Sequence, residues 1–173
     1  MTPAPTLTTN RLTLRGPQKA DAASVAAFYG APRSRHFGGT LDPRDAWRWF
    51  VMSVGHWHWH GYGYWTVTRR GADTPIGLCG IWNPDGWVEP ELGFALFDAA
   101  DEGTGLAYEA ALAARTHAYD AMGFATLTSN IAPENTRSIA LATRLGATSE
   151  GPHENVRHGT QLVYRHPAPE RLQ

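Results

Sequence analysis

The sequence predicts an α/β domain in which a mixed sheet carries helices on its faces. Three observations lead there. Hydrophobic spacing switches between period two and about 3.6 several times along the 173 residues. Between Tyr62 and Phe97 the periodic segments are separated by short turns, as hairpins of antiparallel strands require. The segment 124–131, in contrast, is reached only through a long alanine-rich stretch, and such a strand–helix–strand crossover pairs strands in parallel. A chain of this length suits one domain, 1–173, and can bury about 70% of its unfolded surface without a staple.

Each element follows from its residues. Leu7 to Arg15 alternates as a strand and ends at Gly16-Pro17. Asp21 opens a short helix through Val25, Phe28 and Tyr29, closed by Gly30 and Pro32. The stretch 33–40 is loop. Asp42-Pro43 starts a second helix, with Trp47, Phe50, Val51 and Val54 at helical spacing. Tyr62 to Thr68 and Pro75 to Trp82 form a hairpin about Gly71-Ala72-Asp73, and Asn83-Pro84-Asp85-Gly86 turns the chain again. Glu89 to Phe97 is a strand, and Gly103 to Gly123 is a helix rich in alanine, the best helix former. A strand at Phe124–Ile131, a helix at Asn135–Leu145 ended by Gly146, and strands at Ala147–Glu150 and Val156–Arg165 complete the chain.

Composition excludes several classes. Net charge is −1 with mixed signs and no basic block, so nucleic acid is not an expected partner. No apolar run approaches the ~20 residues of a membrane helix, so no membrane association is expected. The first nine residues have neither the charge nor the apolar core of a secretory signal, and a cytoplasmic location is expected. The lone Cys79, in an apolar stretch, reads as a small buried hydrophobe.

The segment richest in chemistry runs from Glu91 through an acidic loop to Gly103-Thr104-Gly105 and the helix behind it. The first N–H groups of a helix lack intrahelical partners, and the helix dipole adds partial positive charge there. Glycines at 103 and 105 would let a phosphate approach that main chain closely, making a pyrophosphate cradle without a cationic side chain. Read alone, the same residues also suit a plain glycine turn. The phosphate-loop pattern lacks its Gly-Lys-Ser/Thr, and the dinucleotide fingerprint lacks its third small residue because Tyr108 stands there.

Four landmarks in order resemble the GNAT acetyltransferases, in particular the ribosomal-protein N-terminal acetyltransferase (RimJ/RimL-like) branch. They are Leu7 to Arg15, Gly61 to Trp65 with Ile76-Gly77, Gly103 to Ala107 with Glu109-Ala110, and Pro133 to Ser138 with Leu145-Gly146-Ala147. The resemblance implies a mixed, mostly antiparallel sheet of six or seven strands flanked by four helices and splayed between its fourth and fifth strands. It implies acetyl-coenzyme A as cosubstrate, lying in the splay. Main-chain groups at Phe94, Ala95 and Leu96 would bind its arm, Gly103, Thr104, Gly105, Leu106 and Ala107 its pyrophosphate, and Asn135 the arm from the other side. Ala100 departs from the family pattern, which carries Gln or Arg there, and Asp101 and Glu102 make the loop more acidic than an anionic ligand favours.

Transfer to an amine requires a base for the amine and an acid for the departing thiolate. Glu91 is the candidate base, since it shares a strand face with Gly93 and Ala95, whose small size would leave room for substrate. The bland alternative is a structural ion pair. Ser138, by resemblance, is the candidate acid, and a surface or packing hydroxyl is its alternative. Asn135 equally suits a helix N-cap.

His56-Trp57-His58-Trp59-His60 puts two histidines at the helical spacing of a metal pair, yet packing of a helix end explains it as well, and no metal is expected. Three alternatives stay open at this point: a non-catalytic acyl-coenzyme A binding module, a nucleotide-binding enzyme, and a small metal-dependent hydrolase. The acceptor amine, on a small molecule or a protein N-terminus, is not specified, and a homodimer is the expected assembly.

Overall fold

The computed structural model describes residues 4–155 and 159–171. Its elements are β1 (Leu7–Thr8), β2 (Leu12–Arg15), α1 (Ala22–Gly30), α2 (Pro43–His60), β3 (Tyr64–Arg69), β4 (Pro75–Trp82), β5 (Glu91–Leu96), α3 (Leu106–Asp120), β6 (Thr128–Ile131), α4 (Thr136–Arg144), β7 (Thr148–Asn155) and β8 (Gly159–Arg165). The first part of the expected last strand, 156–158, lies outside the described residues. All eight strands join one sheet in the order β1-β2-β3-β4-β5-β6-β8-β7. Every pairing is antiparallel except β5 with β6.

The expected first strand is in fact a hairpin, which raises the count to eight. Thr9 N–H donates to Leu12 O at 2.9 Å, and Leu12 N–H donates to Thr9 Oγ1 at 3.0 Å, closing a turn that sets Leu7 opposite Leu14. The third helix starts three residues later than spacing predicts, because Gly103 and Gly105 adopt left-handed φ of 71° and 82°. The strand expected from Phe124 begins only at Thr128, since Phe124 N–H is taken by Ala118 O at the helix end.

Two apolar layers cover the sheet. On one face, Leu12, Leu14, Trp65, Ile81 and Leu92 pack against the alanine face of α3. On the other, α1 and α2 bring Phe28, Tyr29 and Phe50 against Tyr64 and Trp82. Asp21 ties the second layer to the sheet. It is 1% exposed and accepts from both Arg15 Nη atoms at 2.8 Å, from Gln18 N–H at 2.8 Å and from Thr66 Oγ1 at 2.8 Å. Burial opposes its charge, but these donors prevail and hold its pKa below the ordinary value.

Helix α2 is capped by Asp42, whose carboxylate accepts from Asp45 N–H at 2.8 Å, and stops at Gly61. Its inward residues are Ala46, Phe50, Ser53, His56 and Trp57. Of the apolar residues that marked this helix in the sequence, only Phe50 faces the core. Trp47, at 59% exposure, Val51 and Val54 line the solvent side. Cys79 is buried and its thiol pKa is pushed up by burial, as a packing role predicts. Among the described residues no helix is long and apolar enough to cross a membrane.

His166, just beyond β8, is 1% exposed, and burial beside Arg115 pushes its pKa down to about 3 from 6.5. His56 is lowered too, chiefly by burial. Below pH 6.5 the unfolded chain therefore binds protons that the folded chain refuses, so stability falls as pH falls through that window. Between pH 6.5 and 4.5, above the carboxylate range, His166 alone is expected to remove about 1.4 kcal/mol per pH unit. Calorimetric unfolding at stepped pH checks this, and a shallower slope is expected for His166→Gln.

Candidate active site

Strands β5 and β6 run parallel but share a single paired position, Glu91 with Thr128, where Thr128 N–H donates to Pro90 O at 3.1 Å. The next paired position of a parallel ladder would join Gly93 and Asn130, with Asn130 N–H directed at Leu92 O. That pair does not form. Leu92 O accepts from Ser129 Oγ at 2.7 Å, and Asn130 N–H donates to Glu91 Oε1 at 3.3 Å. Two side chains thus satisfy the backbone groups at the point where the strands part. The splay lies where expected, although the extra hairpin makes these the fifth and sixth strands.

Main-chain direction along β5 then follows from its other edge. Phe97 N–H donates to Ile76 O at 2.8 Å, and the alternation of an antiparallel ladder turns Ala95 and Gly93 toward β4 as well. Phe94 and Leu96 therefore present their N–H and C=O to the gap, whereas the main chain of Ala95 pairs with Leu78. Leu96 O already draws a donor, Arg33 Nη2 at 3.3 Å. Of the three residues that the sequence proposed for the cofactor arm, two face the gap and one does not.

The gap leads to the start of α3. The first intrahelical bond runs from Glu109 N–H to Gly105 O at 3.1 Å, which leaves Leu106, Ala107 and Tyr108 without intrahelical acceptors for their N–H groups. A Cβ on Gly103 would meet nothing within 4 Å, so the space above it is open. The Thr104 hydroxyl is already spent on Asp101 O at 2.5 Å, and Leu106 buries its side chain. Glu109 anchors this helix start. It accepts from Thr9 Oγ1 at 2.6 Å, Arg11 N–H at 2.8 Å and Arg11 Nε at 2.6 Å, while Arg11 Nη1 donates to Thr104 O at 3.0 Å. Burial works against the Glu109 charge, yet these donors hold its pKa below the ordinary value.

The acidity of the loop is balanced within the protein. Asp101 pairs with Arg69, and Glu102 pairs with Arg33 at 2.7 Å and with Arg137 of α4. The Ala100 position has no cationic side chain, but two guanidinium groups stand one residue before Gly103 through Glu102. Distance in sequence hid this compensation. A groove of about 890 Å³ shares Gly103, Thr104 and Gly105 with the loop and continues along the outer side of α3 past Leu112 and Thr116. It contains no residue of β5 and is separate from the gap.

Glu91 sits on the α1–α2 face of β5, as the period-two reading predicts. Its carboxylate accepts from Trp87 Nε1 at 2.9 Å and from Asn130 Nδ2 at 3.1 Å, besides Asn130 N–H. Trp87 and Asn130 carried no signal in the sequence, because only folding brings them to Glu91. The space beside Gly93 is not open to substrate as expected. A Cβ there would lie 2.1 Å from Tyr64 Oη, so the missing side chain makes room for the tyrosine. Burial first, and the Glu91 charge second, raise the Tyr64 pKa.

Asn135 caps α4, its Oδ1 accepting from Ser138 N–H at 3.3 Å. Both residues are half-buried on the first turn of α4, which the Arg137–Glu102 pair holds against the glycine loop. His56 and His60 do meet, with ring centroids 4.4 Å apart. Both nitrogens of His56 are engaged, however. Nδ1–H donates to Tyr62 O at 2.7 Å, Nε2 accepts from Asn83 N–H at 3.2 Å, and the ring stacks on Trp82. The pair holds the end of α2 to the sheet. Among the described residues no group of three or more His, Cys, Asp or Glu could hold a metal ion.

Comparison with known proteins matches this geometry. The family model of the acetyltransferase (GNAT) domain matches residues 11–148. An acetyltransferase from Agrobacterium tumefaciens strain C58 is 35% identical, with 96% of each chain covered and a TM-score of 0.88. The ribosomal-protein-S5-alanine acetyltransferase from Vibrio fischeri shares the fold at 16% identity, covering 96% of this chain and 98% of that one, with a TM-score of 0.72. So does an aminoglycoside acetyltransferase solved with coenzyme A, at 18% identity, 92% and 95% coverage and a TM-score of 0.78. No curated protein matches the chain in sequence.

Gly105 is the cap of α3 at a φ where a Cβ is strained, and that Cβ would also lie 3.4 Å from Arg11 Nη2. Gly105→Ala is expected to lower stability by about 1–2 kcal/mol. Urea unfolding should show a lower midpoint with an unchanged m-value.

Proposed function

The chain belongs to the acetyltransferase (GNAT) family, and on that premise we propose that it transfers an acetyl group from acetyl-coenzyme A directly to a primary amine in a ternary complex. The observation that carries this reading is the parting of β5 from β6, with main-chain groups of Phe94 and Leu96 turned into the gap and the start of α3 at its end. A pantetheine arm is a chain of amides, so it can pair with a strand edge as another strand would. A pyrophosphate suits N–H groups that lack intrahelical acceptors, here those of Leu106, Ala107 and Tyr108, with Gly103 and Gly105 keeping the approach clear.

The cosubstrate supplies an activated acetyl thioester. The protein holds it, polarises its carbonyl from the gap-facing main chain of β5, and manages two protons. Glu91, next to the gap, is proposed to take the amine proton through a water molecule. Ser138 is proposed to return a proton to the thiolate, with Asn135 contacting the arm from the far side of the gap. The acceptor is an amine on a small molecule or a protein N-terminus. The half-buried rings of Phe37 and Trp49, 5.4 and 5.9 Å from the Tyr64 ring, offer it an apolar surface on the Glu91 face.

One observation favours a second reading, a binding module of the same fold without catalysis. Glu91 already serves the backbone of β6, a role that needs no chemistry. Calorimetric titration separates cofactor binding from its competitors: acetyl-coenzyme A is expected to bind saturably, and NAD and ATP are not. An acceptor screen then separates the two readings. Gln keeps an oxygen for Asn130 but is no base, so Glu91→Gln should retain binding and lose about a hundredfold in kcat. An unchanged rate would assign Glu91 a structural role only.

A further inference from the structure

We propose that Ser129 is a positioning residue that stops the β5–β6 ladder and so fixes where the acyl-carrier gap begins. The inference rests on the acetyltransferase reading above and concerns residues to which that reading gives no part. The relevant atoms form one buried chain. Arg115 Nη1 lies 3.3 Å from His166 Nδ1, His166 Nε2 lies 3.0 Å from Ser129 Oγ, and Ser129 Oγ lies 2.7 Å from Leu92 O. Arg115, His166 and Ser129 are each no more than 3% exposed.

Only one arrangement of protons satisfies this chain. Leu92 O is an acceptor, so the single hydroxyl proton of Ser129 is directed to it. Ser129 Oγ must then accept from His166, which places the imidazole proton on Nε2. Nδ1 is left as the acceptor for Arg115, whose Nη1 also donates to Leu145 O at 2.5 Å. The neutral imidazole that this requires is the form that burial beside Arg115 favours. The hydroxyl is therefore aimed from behind, and it cannot rotate toward another acceptor without breaking the chain.

What it is aimed at matters for the gap. Leu92 O is the acceptor that Asn130 N–H would use in the next rung of the parallel ladder. The Ser129 hydroxyl occupies one side of that carbonyl, Asn130 N–H donates to the Glu91 carboxylate, and no paired position follows Glu91–Thr128. Phe94, whose main chain faces the gap, is only two residues beyond. Without the hydroxyl, Leu92 O loses that donor and Asn130 N–H becomes its nearest replacement, so the ladder gains a rung and the gap shortens from its closed end. The pyrophosphate end, built on α3, is untouched.

The test compares coenzyme A with 3′-phosphoadenosine 5′-diphosphate, which is coenzyme A without its pantetheine arm. By calorimetry, Ser129→Ala should weaken coenzyme A binding about tenfold, the scale of one hydrogen bond and its fit, and leave the arm-less ligand unchanged. Hydrogen exchange should show a more protected Asn130 amide. Ser129→Thr, which keeps the hydroxyl, should restore coenzyme A binding. If Ser129→Ala does not fold, Ser129→Cys substitutes for it, a near-isosteric thiol that is a weak donor. Equal losses for both ligands, or no loss for coenzyme A, would overturn the proposal. Wild-type protein that binds no coenzyme A would instead overturn the functional reading on which it rests.

Discussion

A sheet that opens between two of its strands must find new partners for every backbone group it unpairs, and most of this molecule can be traced to that requirement. At the opening between β5 and β6, the Leu92 carbonyl and the Asn130 amide each have a side-chain partner. Ser129 takes the carbonyl and Glu91 takes the amide. Each of these side chains is held in turn. Ser129 connects through His166 to Arg115 on α3, and Glu91 is fixed by Trp87 from the turn before β5. The opening is thus a built feature, with its supports on both faces of the sheet.

The same logic governs the start of α3. A helix N-terminus that is to offer its N–H groups to a ligand cannot be capped by a side chain of its own, and Gly105 supplies none. Its position is set from outside by Glu109, which gathers Thr9 and Arg11 from the first hairpin. The break between β1 and β2 is what places those two residues over the helix. Around the loop, Arg69, Arg33 and Arg137 meet the acidic residues from three different elements. Pairs that keep contact with solvent contribute little stability each, but here they draw α4 and the α1–α2 connection toward the loop.

The two faces of β5 divide the work. Leu92, Phe94 and Leu96 pack toward α3 and make the strand rigid. Glu91 and Ala95 look toward the aromatic layer, where Gly93 admits the Tyr64 hydroxyl. The tryptophan- and histidine-rich end of α2 reaches both layers, His56 stacking on Trp82 and Trp57 packing on Trp65. His56 joins Tyr62 and Asn83 through its two nitrogens, and Trp57 donates to Tyr64 O at 2.8 Å. These two residues seat the helix end on the sheet, whereas Trp59, at 84% exposure, takes no part in it.

The sequence by itself determined the element order, the crossover that makes β5 and β6 parallel, the glycine loop before α3, the Asn135 cap and the face on which Glu91 stands. These features depend on local quantities, namely side-chain period, left-handed glycines and turn chemistry, which neighbouring residues carry between them. Tertiary structure alone decided the rest. It turned Trp47, Val51 and Val54 outward, because a helix with apolar residues on two sides buries the side its neighbours select. It filled the space beside Gly93 with Tyr64, and it balanced Asp101 and Glu102 with arginines up to 69 residues away. It also joined Ser129 to His166 and Leu92, 37 positions distant on either side. Hydrogen bonds and ion pairs across such separations leave no period in the chain, since only the packed sheet brings their partners within reach.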